Sequence, residues 1–184
     1  MSEGTNGGNF AMSDEDRALL EQELGKELEW DNSHPENYLV RGALLQCSCG
    51  THPRRMNLPK SYGIYTDAEE MKHPFVCVKD CMFCDKGSKD GNITYFGVCK
   101  SETNDNPNKE EICLKPYNED AKENDQGTKC TPMIMGAWLN PVSDSYVEED
   151  GLKYLKLKQG SVLVCKYGGV IQVRESGQDY TEEE

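Results

Sequence analysis

The sequence predicts an all-β domain of short strands and tight turns, preceded by a single α-helix. Three observations carry this. From Tyr38 onward the apolar and alternating runs are brief and are separated by Gly, Pro, Asn and Asp. Helical spacing of apolar residues occurs in one normal-length segment only, ahead of Tyr38. A strand-and-turn unit also recurs: Gly42-Ala-Leu-Leu-Gln-Cys47-Ser-Cys49-Gly50 is echoed by Gly160-Ser-Val-Leu-Val-Cys165-Lys-Tyr167-Gly168. Each copy starts at a glycine, runs through an apolar strand to a cysteine, and ends at a glycine where a positive-φ turn is easiest.

Residues 1–11 are rich in Gly, Asn and Ser, have too few apolar groups to repay ordering, and read as a tail. A helix is expected over Asp14–Trp30. Ser13 and Asp16 form a weak capping box, acids fill the first turn, and Leu19, Leu20, Leu24 and Leu28 form a narrow apolar stripe. That stripe either covers the edge of its own domain or docks a partner protein such as an effector or chaperone. The strand candidates are YLVRGALLQC, KSYGIYT, GNITYFGVC, LKYLKLKQGSVLVC and GVIQVRE, with a short turn at Met133–Leu139. Segment 101–128 is nearly all polar and is expected as an exposed loop. Trp138 reads as a core aromatic, with Gly136 permitting close packing beside it. The domain reading is therefore an acidic tail and helix over 1–37, a β domain over 38–178, and an acidic tail over 179–184.

The net charge of −13 sits at the ends. Residues 1–37 hold ten acids and two bases, and 179–184 hold four acids, which leaves 19 acids against 18 bases in the β domain. A nearly neutral body with acidic ends lacks the basic patch that nucleic acid or anionic lipid requires. No run of about 18 apolar residues and no signal core is present, so neither a stable membrane anchor nor a signal peptide is expected. Only 36% of residues are hydrophobic and 29% are charged, so the small core needs help from metal, subunit contacts or close turns.

Nine cysteines, an odd number without an export signal, suggest reduced thiols that bind metal or are simply buried. Cys77, Cys81 and Cys84 form a CxxxCxxC run, and Cys99 follows; these four are the first candidate set for a tetrahedral Zn2+. Cys47, Cys49 and His52 form a competing set, which Cys165 joins if the echoed strands lie side by side. Enzyme chemistry is not expected. Only three histidines exist, the acids cluster in the tails, and no nucleophile elbow, zinc-protease, phosphate-loop or dinucleotide motif is present.

Five segments in order, GALLQCSCGT, IYT, NITYFGVCK, KCTPMIMGAW and GSVLVCKYGGVIQVRESGQ, resemble the PAAR-like family of spike-tip domains across about three quarters of the chain. The resemblance implies a compact conical β domain that caps the blunt end of a trimeric β-helical spike in a bacterial contractile injection system, of the type VI secretion kind, one cap per trimer. Related domains hold a tip zinc, which supports a Zn2+ expectation here. It also implies synthesis in the bacterial cytoplasm, assembly into the particle, and delivery outside the cell or into a target cell, with effector cargo carried on the outer surface. A single chain capping a three-fold spike needs three roughly equivalent contacts. The echoed strands, with Ala43, Leu45, Val162 and Val164, are candidates for two of them. The alternative is a freestanding zinc-binding protein-interaction module. The sequence departs from compact family members in the N-terminal helix, the cysteines between His73 and Cys84, and segment 101–128.

Overall fold

Alternation decides which way each short strand faces. In the computed structural model, which describes residues 36–66, 73–85 and 90–180, β1 (Leu44–Cys47) turns Leu45 and Cys47 inward and β8 (Val170–Glu175) turns Ile171 and Val173 inward. Their antiparallel register puts Leu45 opposite Val173 and Cys47 opposite Ile171, so the four buried side chains share one face. Between come β2 (Arg54–Arg55), β3 (Glu111–Leu114), β4 (Asp125–Thr128), β5 (Tyr146–Glu149), β6 (Leu152–Leu155) and β7 (Val162–Val164). The main sheet has the order β2-β1-β8-β7, and β3-β4 and β5-β6 are separate two-stranded hairpins. The body is all-β with small antiparallel sheets, and no α-helix occurs among the described residues. The helix expected over Asp14–Trp30, with Leu19, Leu20, Leu24 and Leu28, lies outside them.

The echoed segments do not lie side by side. Strand β8 separates them, and Cys47 and Leu163 are both registered against Ile171. Both edges of the main sheet are covered by irregular chain. Leu139 exchanges two backbone hydrogen bonds with Val162 (2.8 and 3.2 Å), and Met135 N–H donates to the Val164 carbonyl (2.9 Å). At the other edge Arg54 Nε donates to the Tyr95 carbonyl (3.0 Å) and Asn57 N–H to Asn92 (2.9 Å). The β7 edge is thus taken up by backbone bonds, while neighbouring chain lies along the β2 edge.

Two expected strands form only isolated bridges. Tyr65 pairs with Pro74, while Ile93, Val98 and Cys99 each pair with a different stretch, Phe83, Lys129 and Gly50. A segment that changes partner every few residues cannot build a ladder. Met133–Leu139 is likewise bridged, through Ile134 to Cys165 and Leu139 to Val162. Segment 101–128 is mostly exposed, yet it carries the β3-β4 hairpin instead of bare loop. His52 Nε2 donates to the Lys115 carbonyl (2.8 Å), and Lys129 N–H donates to Glu110 (2.7 Å); both tie the hairpin to the body. Trp138 is buried with its indole N–H on the Asp80 carbonyl (3.0 Å). Gly136 is there for its backbone: its φ is +75° and a Cβ would meet open space, so close packing is not its role.

Candidate functional site

Three five-residue segments, 37–41, 74–78 and 155–159, close into a ring. At the centre of each is a fully buried apolar residue, Leu39, Val76 and Leu157. Leu39 N–H donates to Leu157 (3.0 Å), Leu157 N–H to Val76 (3.1 Å), and Val76 N–H to Leu39 (3.4 Å). Two positions after each centre, a second set runs round the ring in the opposite direction: Gln159 N–H to Asn37 (2.8 Å), Val78 N–H to Leu155 (3.0 Å), and Arg41 N–H to Pro74 (3.0 Å). The bridges Tyr38 to Lys158, Val40 to Phe75 and Cys77 to Lys156 follow the same rule, each joining the residue before one centre to the residue after another. Every segment thus makes the same two contacts with its neighbours, which is pseudo-three-fold symmetry within one chain. The residues preceding the centres, Tyr38, Phe75 and Lys156, are partly exposed and gather together. The two rings meet edge to face at 5.5 Å, and Lys156 Nζ stands 4.1 Å from the Phe75 centroid and 5.4 Å from that of Tyr38.

Among the proposed contact residues of the echoed strands, Ala43, Leu45 and Val162 are buried and Val164 is half-buried. Their side chains serve the core.

The cysteines fall into separate surroundings. Cys77 lies in the ring, its thiol 3.5 Å from Tyr62 Oη and its N–H donating to Asp80 Oδ2 (2.7 Å). Tyr62 donates to Asp80 Oδ1 (2.7 Å). Burial, then the Asp80 carboxylate, push the Cys77 thiol up to about 11. Cys81 donates to the carbonyls of Lys79 (3.6 Å) and Gly136 (3.9 Å), and burial raises its pKa too. Cys84 packs against Gly91, beside Asn57 and Asn92. Cys99 is elsewhere: the bridge to Gly50 and the hydrogen bond from Lys100 N–H to the Cys49 carbonyl (2.7 Å) carry it to the first echoed turn.

There Cys47, Cys49, Cys99, Cys130 and Cys165 come together. The Cys130 thiol is in hydrogen-bonding contact with both Cys47 and Cys99, and Cys49 and Cys165 lie near enough to feel the charge of Cys47 and Cys99. The bond from Cys130 lowers the Cys47 pKa to about 7 despite burial, and the Cys130 pKa is raised in return. Gly169 keeps space open: a Cβ there would sit 2.8 Å from Cys47 Sγ, 3.6 Å from Cys165 Cβ and 3.8 Å from Cys49 Cβ. Among the described residues no group of three or more His, Cys, Asp or Glu is placed so that it could hold a metal ion. Sequence spacing missed Cys130 altogether, although KCTPMIMGAW is one of the five segments that carry the family resemblance.

A family model described as "Domain of unknown function (DUF4280)" matches residues 39–178, most of the chain. The chain belongs to the DUF4280 family. The match takes in the ring from Leu39 onward, all five clustered thiols and both echoed strands. No curated protein and no solved structure matches the chain.

Proposed function

We propose that this DUF4280 chain is a non-enzymatic, PAAR-like tip protein that caps the trimeric spike of a bacterial contractile injection system. The observation that supports the reading best is the ring of 37–41, 74–78 and 155–159. One chain that meets a three-fold partner along its axis must offer three similar contacts, and an asymmetric chain does so only through internal repetition of geometry. The ring repeats one backbone pattern three times, and its partly exposed Tyr38, Phe75 and Lys156 are one residue from each side. With β1 interior to the main sheet and β7 bonded along its outer side by Met135 and Leu139, docking is directed to this ring instead of to the echoed strands. A nearly neutral body adds that the contact depends on shape and apolar burial more than on charge.

In this reading the protein is made in the bacterial cytoplasm, joins the particle as its tip and leaves with it. Cargo travels with the tip, with the N-terminal segment as one attachment point. The test is to mix the full chain with its cognate spike and weigh the complex by native mass spectrometry. One tip per three spike chains, little changed by added salt, is expected. A 3:3 complex, or no binding to any spike encoded nearby, would defeat the cap and leave a freestanding interaction module.

A further inference from the structure

We propose that the Lys156 ammonium is the axial pin of the ring face, and that it fits a three-fold partner presenting three identical neutral oxygen acceptors, backbone or amide carbonyls, around its axis. The inference rests on the spike reading and adds to it the chemistry of the partner's end.

The three segments repeat their backbone but not the side chain that each places before its centre. Tyr38, Phe75 and Lys156 are two aromatics and one cation, all partly exposed. A partner with true three-fold symmetry brings the same group to all three corners, and no one group suits an aromatic ring at two of them and an ammonium at the third. Convergence of the three side chains removes that conflict. Tyr38 and Phe75 meet edge to face at 5.5 Å, and Lys156 Nζ reaches to 4.1 Å from the Phe75 centroid and 5.4 Å from that of Tyr38. The pseudo-three-fold axis runs between equivalent positions, so the charge lies among the corners, beside that axis, instead of out at a corner of its own.

The ammonium still has its donors open. Neighbouring Lys158 pairs with Glu36 and Lys79 with Glu149, whereas among the described residues Lys156 has neither a carboxylate nor a carbonyl partner, and its charge is met by ring faces. An ammonium carries three N–H groups disposed around its Cε–Nζ bond, the symmetry of the partner itself. Three equivalent oxygens on the partner's axis accept all three. Docking makes that match necessary, because a donor covered without an acceptor bears its full desolvation penalty. Charge decides the kind of oxygen. Three carboxylates against one ammonium would bury uncompensated negative charge, at a cost above the gain, while three carbonyls add none.

The full chain is titrated against the trimeric spike encoded beside it. Lys156→Met keeps the unbranched stem and loses the three donors. Its affinity falls at least tenfold, while one cap per trimer is retained and the melting temperature stays within a few degrees of wild type. Lys156→Arg keeps the charge but spreads its N–H groups in a planar fork, and it recovers little of the loss. In the wild-type complex, acetylation followed by peptide mapping shows Lys156 protected, while the exposed Lys122 and Lys166 react as in the free chain. That mapping stands even if a variant fails to fold. Wild-type affinity in Lys156→Met, with one cap per trimer, overturns the pin and leaves the cap reading intact; unprotected Lys156 in the complex does the same. Full recovery by Lys156→Arg shows that charge without donor geometry suffices, and steep loss of affinity with added salt assigns carboxylates to the partner; either overturns the proposal as stated. No binding by the wild-type chain defeats the spike reading, and the pin with it.

Discussion

The backbone N–H of Val76 donates to the carbonyl of Leu39 across 3.4 Å, the longest of the three inner hydrogen bonds, and it closes the ring. Together with the Arg41 N–H to Pro74 bond (3.0 Å) it joins 37–41 to 74–78, and without both the three segments would be an open stack. With them each is bonded to both others, so no segment can leave without breaking contacts on two sides. Because Leu39, Val76 and Leu157 are all fully buried, these amides have no water to replace a lost partner.

Hydrogen exchange should report that closure. The amides of Leu39, Val76 and Leu157 are expected to exchange slowly and at similar rates, because exposing any one requires opening the whole ring. By contrast the amides of the exposed β3-β4 hairpin should exchange earlier. Widely different rates for the three ring amides would show that the segments open one at a time.

Lys156→Glu probes docking with little damage to folding. The side chain is partly exposed, its ring contacts with Phe75 and Tyr38 are worth roughly 0.5–1 kcal/mol, and its backbone bonds stay. The melting temperature should shift by a few degrees at most, while spike affinity falls about tenfold or more, roughly 1.4 kcal/mol. Unchanged affinity would move the docking face away from the ring.

Gly168→Val tests the turn after the second echoed strand. Gly168 has φ +84° and a Cβ there would approach Thr103 Oγ1 to 3.0 Å. A β-branched residue in that backbone conformation costs about 1–3 kcal/mol. Thermal unfolding of the variant should fall accordingly.

Gly169→Ala asks a different question one residue along. Its φ is not left-handed, so strain comes only from the new methyl group meeting Cys47 Sγ. A loss of about 1–3 kcal/mol from overpacking is expected, read as a lowered melting temperature. Wild-type stability in this variant would mean the space beside Cys47 is slack.

Deletion of residues 1–35 should leave the body folded, whereas deletion of 1–37 should cost measurably more. Asn37 supplies the carbonyl that Gln159 N–H uses, and Glu36 pairs with Lys158 Nζ (3.1 Å). Comparing the two truncations by thermal melt isolates that ring corner. Equal stability would show the corner contributes nothing.

Much of the fold is legible in the sequence because strands and turns are local. Short apolar runs ending at Gly, Asn or Asp could not be long helices, and β1, β6, β7 and β8 all fall inside runs so marked. The echo identified two strands of one sheet, and charge counting located a neutral body. Even there the glycines divide their duties: Gly168 has positive φ, while Gly50 does not and is instead crowded by Phe96, whose carbonyl would lie 2.6 Å from an added Cβ. A repeated residue type hid two different constraints.

The sequence by itself therefore determined the all-β class and the near-neutral charge of the body. Only the tertiary structure decided which segments meet. The ring is made of backbone hydrogen bonds, which are alike for Leu39, Val76 and Leu157 and leave no side-chain pattern to read. Cys99 was grouped with Cys84 because it is near in the chain, but a single bridge to Gly50 places it with Cys49 and Cys130. Contacts between residues far apart in sequence depend on the whole chain's packing, and spacing along one segment does not encode them.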